Sequence, residues 1–193
     1  MTIEATVAGE SADLAGLDID ELDVIAPGAF ASRVAPLFEG ARGFLGRLAM
    51  ARPFGTADAM FATARTIAHA MPEDEQVELI DAHPRLGAPP GSVSALSYVE
   101  QGYAAEAAQE AADAEAARVA VELERLNAAY EERFGFRYCV FVAGRPRAAL
   151  LPEMEAALGR DRRGEIRRAL DAVVDIARAR YATLTAERLE DEP

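Results

Sequence analysis

The sequence predicts an all-α, single-domain multi-helix bundle with one extended buried segment at about residues 136–143. Three observations carry this. Alanine, leucine, glutamate and arginine dominate the composition, Trp is absent and β-branched residues are sparse, a balance that favours helix over sheet. Apolar residues recur at helical spacing, most plainly Ile166, Leu170, Val173, Ala177, Tyr181 and Leu184. Only FRYCVFVA, residues 136–143, reads as a strand, and one strand cannot make a sheet by itself. With 193 residues, 51% of them hydrophobic, the chain can bury one core.

Taken in order, residues 1–20 are acidic, small and polar, and read as a mobile tail ahead of a helical domain at 21–189. Order is expected to begin near Leu22 to Ile25. Pro27 and Gly28 precede a helix carrying Phe30, Val34, Leu37 and Phe38. Gly40, Gly43 and Gly46 predict an irregular stretch, although Phe44, Leu45 and Leu48 need burial. Arg52 to Gly55 reads as a break. Thr56 is a good N-cap for a helix to about Ala70, with Met60, Ala64, Ile67 and Ala68 on one face. Pro72 opens the next helix, and Glu73, Asp74 and Glu75 suit the positive end of its dipole. Its apolar residues lead into His83-Pro84. Proline disfavours helix at the residue before it, so His83 sits at a helix C-terminus or in the turn after it. GAPPGSVS, residues 87–94, predicts a loop, and a new helix starts near Ser94. From Tyr103 to about Phe134, Val119, Leu123, Leu126 and Tyr130 recur at helical spacing, and Gly135 is a natural terminator. Two more helices are expected at about 146–158 and 163–188.

Charge and motifs exclude several functions. The formal net charge is −13, and an acidic surface repels phosphate backbones, so nucleic acid is not an expected partner. No apolar run reaches the ~18 residues that suggest a membrane span, and the N-terminus lacks a basic start and an apolar core. A cytoplasmic location is expected. Cys139 is the sole cysteine, which permits neither an internal disulfide nor a Cys-based zinc site. Its apolar neighbours predict a buried, inert thiol. No P-loop, GxGxxG, HExxH or GxSxG is present, and nothing in the spacing calls for a metal.

Few residues remain for chemistry. His69, late in an amphipathic helix, reads as a partly exposed structural residue. His83 precedes a loop that can line a cleft, but a histidine at a helix end is also a good dipole partner. In Ser97-Tyr98-Val99-Glu100-Gln101, the polar residues project from one helix face, as a solvated surface or a hydrogen-bonding wall. Arg180 falls at the margin of the apolar stripe of the last helix. It is either a snorkelling arginine or a buried cation needing an anion, such as Glu100 or a substrate carboxylate. The arginines at 160, 162, 163, 167 and 168, with Asp161 and Glu165 interleaved, read as a solvated face.

AHPRLG, then SxxEQ, then LNxxYxxRFGF, then a helical IARARY resemble, in that order, the OHCU decarboxylases, which act on 2-oxo-4-hydroxy-4-carboxy-5-ureidoimidazoline. Weaker similarity spans about residues 25–184 and includes Phe38-Glu39 and the Arg52 to Phe54 segment. The resemblance implies an all-α, cofactor-free homodimer that forms (S)-allantoin in urate degradation. It implies His83, Glu100 and Arg180 as catalytic residues, with Pro84, Ser97, Gln101, Phe136, Tyr138 and Val140 holding a small-molecule substrate. The chain departs from the family pattern in two places. Arg137 and Tyr138 stand where FGFPF is usual, and EGARGFLG replaces a Glu-x-Ser-Pro-Trp segment. Both bear on the pocket rim. The alternatives are a non-catalytic helical module that binds a ligand or partner, and a lyase acting on a related ureido or imidazolone acid.

Overall fold

The computed structural model describes residues 17–88, 94, 96, 101 and 113–191. Among these residues every regular element is helical, as expected. Asp18 caps α1 (Ile19–Val24), its carboxylate accepting from the N–H groups of Asp20 and Glu21. Leu17, Ile19 and Leu22 are buried, so order begins inside the stretch read as a tail. That stretch is too short and too acidic to show a period, yet Leu17 and Ile19 at its end turn inward.

α2 (Pro27–Val34) starts on its proline and buries Phe30 and Val34. It continues as a 3-10 turn, Ala35–Phe38, which buries Leu37 and Phe38. Pro36 has no N–H for an α-helical ladder, which accounts for the change. Glu39 then takes a left-handed conformation (φ 49°). α3 (Arg42–Met50) forms where glycines predicted irregular chain, and buries Phe44, Leu45, Leu48 and Ala49. Each glycine costs about 1 kcal/mol of helix propensity, and burial of that apolar face outweighs it. The break that follows is held by Arg52, which donates to the carbonyls of Leu22, Ile25 and Ala49.

α4 (Ala57–Ala70) begins at the expected cap, Thr56, whose hydroxyl accepts from the Ala59 N–H at 3.1 Å. α5 (Glu73–Asp81) follows Pro72. α6 (Asp113–Phe134) ends at Gly135, at φ +74°. The expected start of this helix at Tyr103, and most of the loop and helix expected around Ser94, lie outside the described residues. A second 3-10 turn, Arg147–Leu150, leads into α7 (Leu151–Ala157), and α8 (Arg162–Asp191) closes the fold. α8 is the spine, packing against α4, α5 and the first 3-10 turn.

Residues 136–142 are extended, with Phe136, Tyr138, Cys139 and Val142 buried. No neighbouring strand takes up their backbone groups, so side chains do. Arg168 donates to the Cys139 carbonyl at 2.8 Å, and Arg145 donates to those of Phe141 and Val142 at 2.7 and 3.0 Å. Arg160, Arg162, Arg163 and Arg167 are exposed, as the solvated-face reading expects, whereas Arg168 and the interleaved Glu165 turn inward. Arg168 lies against the Tyr138 ring, 4.5 Å from its centroid, and donates to Glu165. Glu165 is fully buried and also accepts from Tyr130 Oη and Arg160. Burial alone would lift its pKa, but the hydrogen bonds hold it below the usual carboxylate value.

Candidate active site

The segment His83 to Gly87 has a structural task at each position. α5 ends at Asp81, and the His83 N–H donates to the Ile80 carbonyl at 3.1 Å, which leaves the imidazole on the turn beyond the helix. Pro84 stops the helix from continuing. Arg85 forks onto Glu131 at 2.6 and 2.5 Å. The Leu86 carbonyl accepts from the buried Asn127 side chain at 2.9 Å. Gly87 sits at φ +81°, and a Cβ there would lie 2.8 Å from Leu123 Cδ1. Its N–H donates to Gln101 Oε1 at 2.9 Å. The turn is thus fastened to α6 by an ion pair, an amide and a close packing contact.

The opposite wall comes from α8 and the first 3-10 turn. Arg180 is buried and donates to Glu39 Oε1 at 2.8 Å and to the Pro36 carbonyl at 3.0 Å. The Ser94 hydroxyl also donates to Glu39 Oε1, at 3.1 Å. Both members of the ion pair are shielded, with side chains 4% and 14% exposed. The left-handed backbone at Glu39 swings its carboxylate back under the turn that Arg180 clamps. Among the described residues the anion beside Arg180 is Glu39; Glu100, which the sequence also offered, lies outside them.

Between these walls lies a small cavity. His83, Pro84, Gln101 and Arg180 supply its polar side, and Tyr138, Val140 and the apolar Leu86, Val142 and Ile176 the rest. Cys139 is buried and lines it too. Neither ring nitrogen of His83 has a hydrogen-bond partner of normal geometry among the described residues. Burial pushes the His83 pKa down to about 4, and the Arg180 charge adds to this; Glu39 and the Leu79 carbonyl oppose it. His83 is therefore neutral at pH 7 in this cavity. Burial likewise pushes the Tyr138 phenol up to about 12.

The structure thus brings together His83, Pro84, Gln101, Tyr138, Val140 and Arg180 from the expected set. Phe136 is not among the residues that line the cavity. It packs on Tyr130 and Phe134, with ring centroids 5.6 and 6.1 Å away. The ring belongs to the core because Gly135 turns the chain inward before the cavity wall begins. Ser97 and Glu100 lie outside the described residues. The residue that sequence reasoning missed is Glu39. Its signals were the weaker family similarity at Phe38-Glu39, which carried no role, and the need of a buried arginine for an acid. Among the described residues, no group of three or more His, Cys, Asp or Glu side chains is placed to hold a metal ion. His69 lies away from the cavity and shares a hydrogen bond with Asp171 at 2.9 Å.

Comparison with known proteins matches this geometry. The family model for OHCU decarboxylase matches residues 25–182. The 2-oxo-4-hydroxy-4-carboxy-5-ureidoimidazoline decarboxylase of Haloferax volcanii is 27% identical over 168 residues, covering 86% of this chain and 95% of that protein. The uric acid degradation bifunctional protein PucL of Bacillus subtilis is 28% identical over 174 residues, 90% of this chain but 34% of that one. In fold, the chain is similar to an OHCU decarboxylase crystallised in the presence of (S)-allantoin. The TM-score is 0.61 and the identity 24%, over 79% of this chain and 96% of that one. It is also similar to an (S)-allantoin synthase (TM-score 0.60, 20% identity), over 87% of this chain and 54% of that one. The family model spans the residues that line the cavity, and the chain belongs to the OHCU decarboxylase family.

Proposed function

We propose that this chain decarboxylates 2-oxo-4-hydroxy-4-carboxy-5-ureidoimidazoline to (S)-allantoin, a step of urate degradation. The observation that carries the reading is a buried, neutral His83 facing the buried Arg180–Glu39 pair across a small cavity, in a chain of this family. When CO2 leaves, the bonding electron pair enters the substrate's own ring imine. The imine nitrogen takes a proton from solvent, the hydroxyl proton is lost as the carbonyl forms, and the neighbouring ring carbon takes up one proton. A neutral imidazole can accept the hydroxyl proton and deliver the one that the ring carbon takes up to one face. Arg180 binds the anionic group of the substrate, and Glu39 fixes the guanidinium in place. Gln101 and the backbone around Tyr138 to Val140 hold the ring and ureido amides. Glu100 and Ser97, from the family motif, complete the proposed set.

The test generates the substrate from urate in situ and follows the circular dichroism of the allantoin formed. His83→Asn is expected to lose the acceleration that the wild type shows. Equal acceleration by both would sink the His83 assignment. Binding of allantoin by a wild type without turnover would favour a non-catalytic module of the same fold. The family reading also carries a homodimer working in the cytoplasm, and light scattering of the purified chain checks the dimer.

A further inference from the structure

We propose that Arg137 is a positioning residue for His83, clasping the turn that carries the histidine to the extended wall across the cavity. Arg137 stands where the family pattern has proline, a departure that the motifs place at the pocket rim without a task. Three hydrogen bonds give it one. Its own N–H donates to Asp81 Oδ1 at 2.8 Å. Its Nη1 donates to the Asp81 carbonyl at 2.7 Å and to the His83 carbonyl at 3.0 Å. A proline could make none of them.

The geometry matters because of what His83 lacks. Among the described residues the Leu79 carbonyl bears on the ring but no hydrogen bond of normal geometry fixes either nitrogen, so the backbone beneath the imidazole helps to set its aim. That backbone lies just past the end of α5, where helical carbonyls lack intrahelical donors. Arg137 satisfies two carbonyls there, and its charge suits the negative end of the helix dipole. The next residue along the extended segment is Tyr138, which lines the cavity with Cys139 and Val140. One side chain thus sets the spacing between the His83 turn and the wall it faces. The guanidinium does not line the cavity, so the departure from the family pattern adds no charge to the rim.

The inference rests on the reading that His83 carries the chemistry, and its test separates the two. Decarboxylation kinetics and the ring Cε1–H NMR signal of His83 are measured in wild type, R137A and R137K, with H83N as control. R137A is expected to lower kcat about tenfold while KM stays within about twofold, with R137K recovering most of the loss. The His83 signal should broaden or split in R137A, and the His69 signal should not. Should R137A fail to fold, R137M, which keeps the apolar stem but no donor, takes its place with the same expectation. An unchanged His83 signal overturns the clasp whatever the kinetics show, as does equal loss in R137A and R137K. A fully active H83N overturns the His83 reading instead, while the NMR comparison still decides whether the clasp orders the ring.

Discussion

At the scale of single residues, the site is governed by one neutral histidine and one ion pair. His83 has its pKa pushed down to about 4 from an ordinary 6.5. Between those values the unfolded chain takes up a proton that the folded chain refuses, so stability falls as pH drops from 6.5 to 4. The contribution amounts to about 3 kcal/mol across that window. Urea midpoints for His83→Gln are therefore expected to fall less over pH 6.5 to 4 than those of the wild type; parallel curves would contradict the depressed pKa. Glu39 is the other lever. It neutralises Arg180 and raises the His83 pKa. Glu39→Gln keeps an acceptor for Arg180 but removes the charge, so an uncompensated guanidinium grips the anionic substrate more tightly. The expected outcome is a lower KM, with the acid limb of the kcat/KM profile displaced to lower pH, because that limb reports the free enzyme. A glutamate with a merely structural role would leave the limb where it is.

At the scale of elements, the cavity walls are held by groups the substrate never meets. Gly87 lets the turn after His83 pass within van der Waals contact of Leu123 on α6. Gly87→Ala meets both a left-handed backbone and that contact, and is expected to cost about 2 kcal/mol in a urea titration. It should also weaken substrate binding, because the Gly87 N–H holds Gln101. Behind the other wall, Glu165→Ala leaves Arg168 and Tyr130 without their buried acceptor, a loss of about 3–5 kcal/mol. Calorimetry should show a far larger drop in melting temperature than for Glu122→Ala, whose partner Arg125 is exposed. These elements also show what sequence patterns can reveal. α4 was legible because Thr56 is a side-chain cap, and the end of α6 because Gly135 accepts a positive φ. α3 was not, since glycine propensity is local and the burial that overrides it is tertiary. Arg168 and Glu165 were not, because a charge run shows its sign but not which members turn inward. His83 and Arg180 were singled out by the family motifs, since spacing alone left each a structural reading as well. Glu39 could not, because its pairing depends on a left-handed turn that a non-glycine residue does not advertise.

At the scale of the whole molecule, the field opposes the ligand. The chain carries a formal net charge of −13, and the proposed substrate is an anion. Inside the cavity the histidine is neutral, and the Arg180 charge is balanced by Glu39, so no large local positive potential offsets the global repulsion. Surface charges act through solvent and are screened by salt, with a Debye length of about 30 Å at 0.01 M and about 8 Å at 0.15 M. The buried pair is screened far less. Raising the ionic strength across that range should therefore remove repulsion while leaving the binding contacts intact, and KM should fall, with kcat little changed. Many enzymes with anionic substrates and basic clefts show the reverse. Glu39→Gln provides the internal comparison, because it unmasks Arg180 without moving the acidic surface. Its KM should depend less on salt than that of the wild type. A wild-type KM that rises with salt would mean that Arg180 attracts the substrate despite Glu39, and would overturn the charge balance assigned to the cavity.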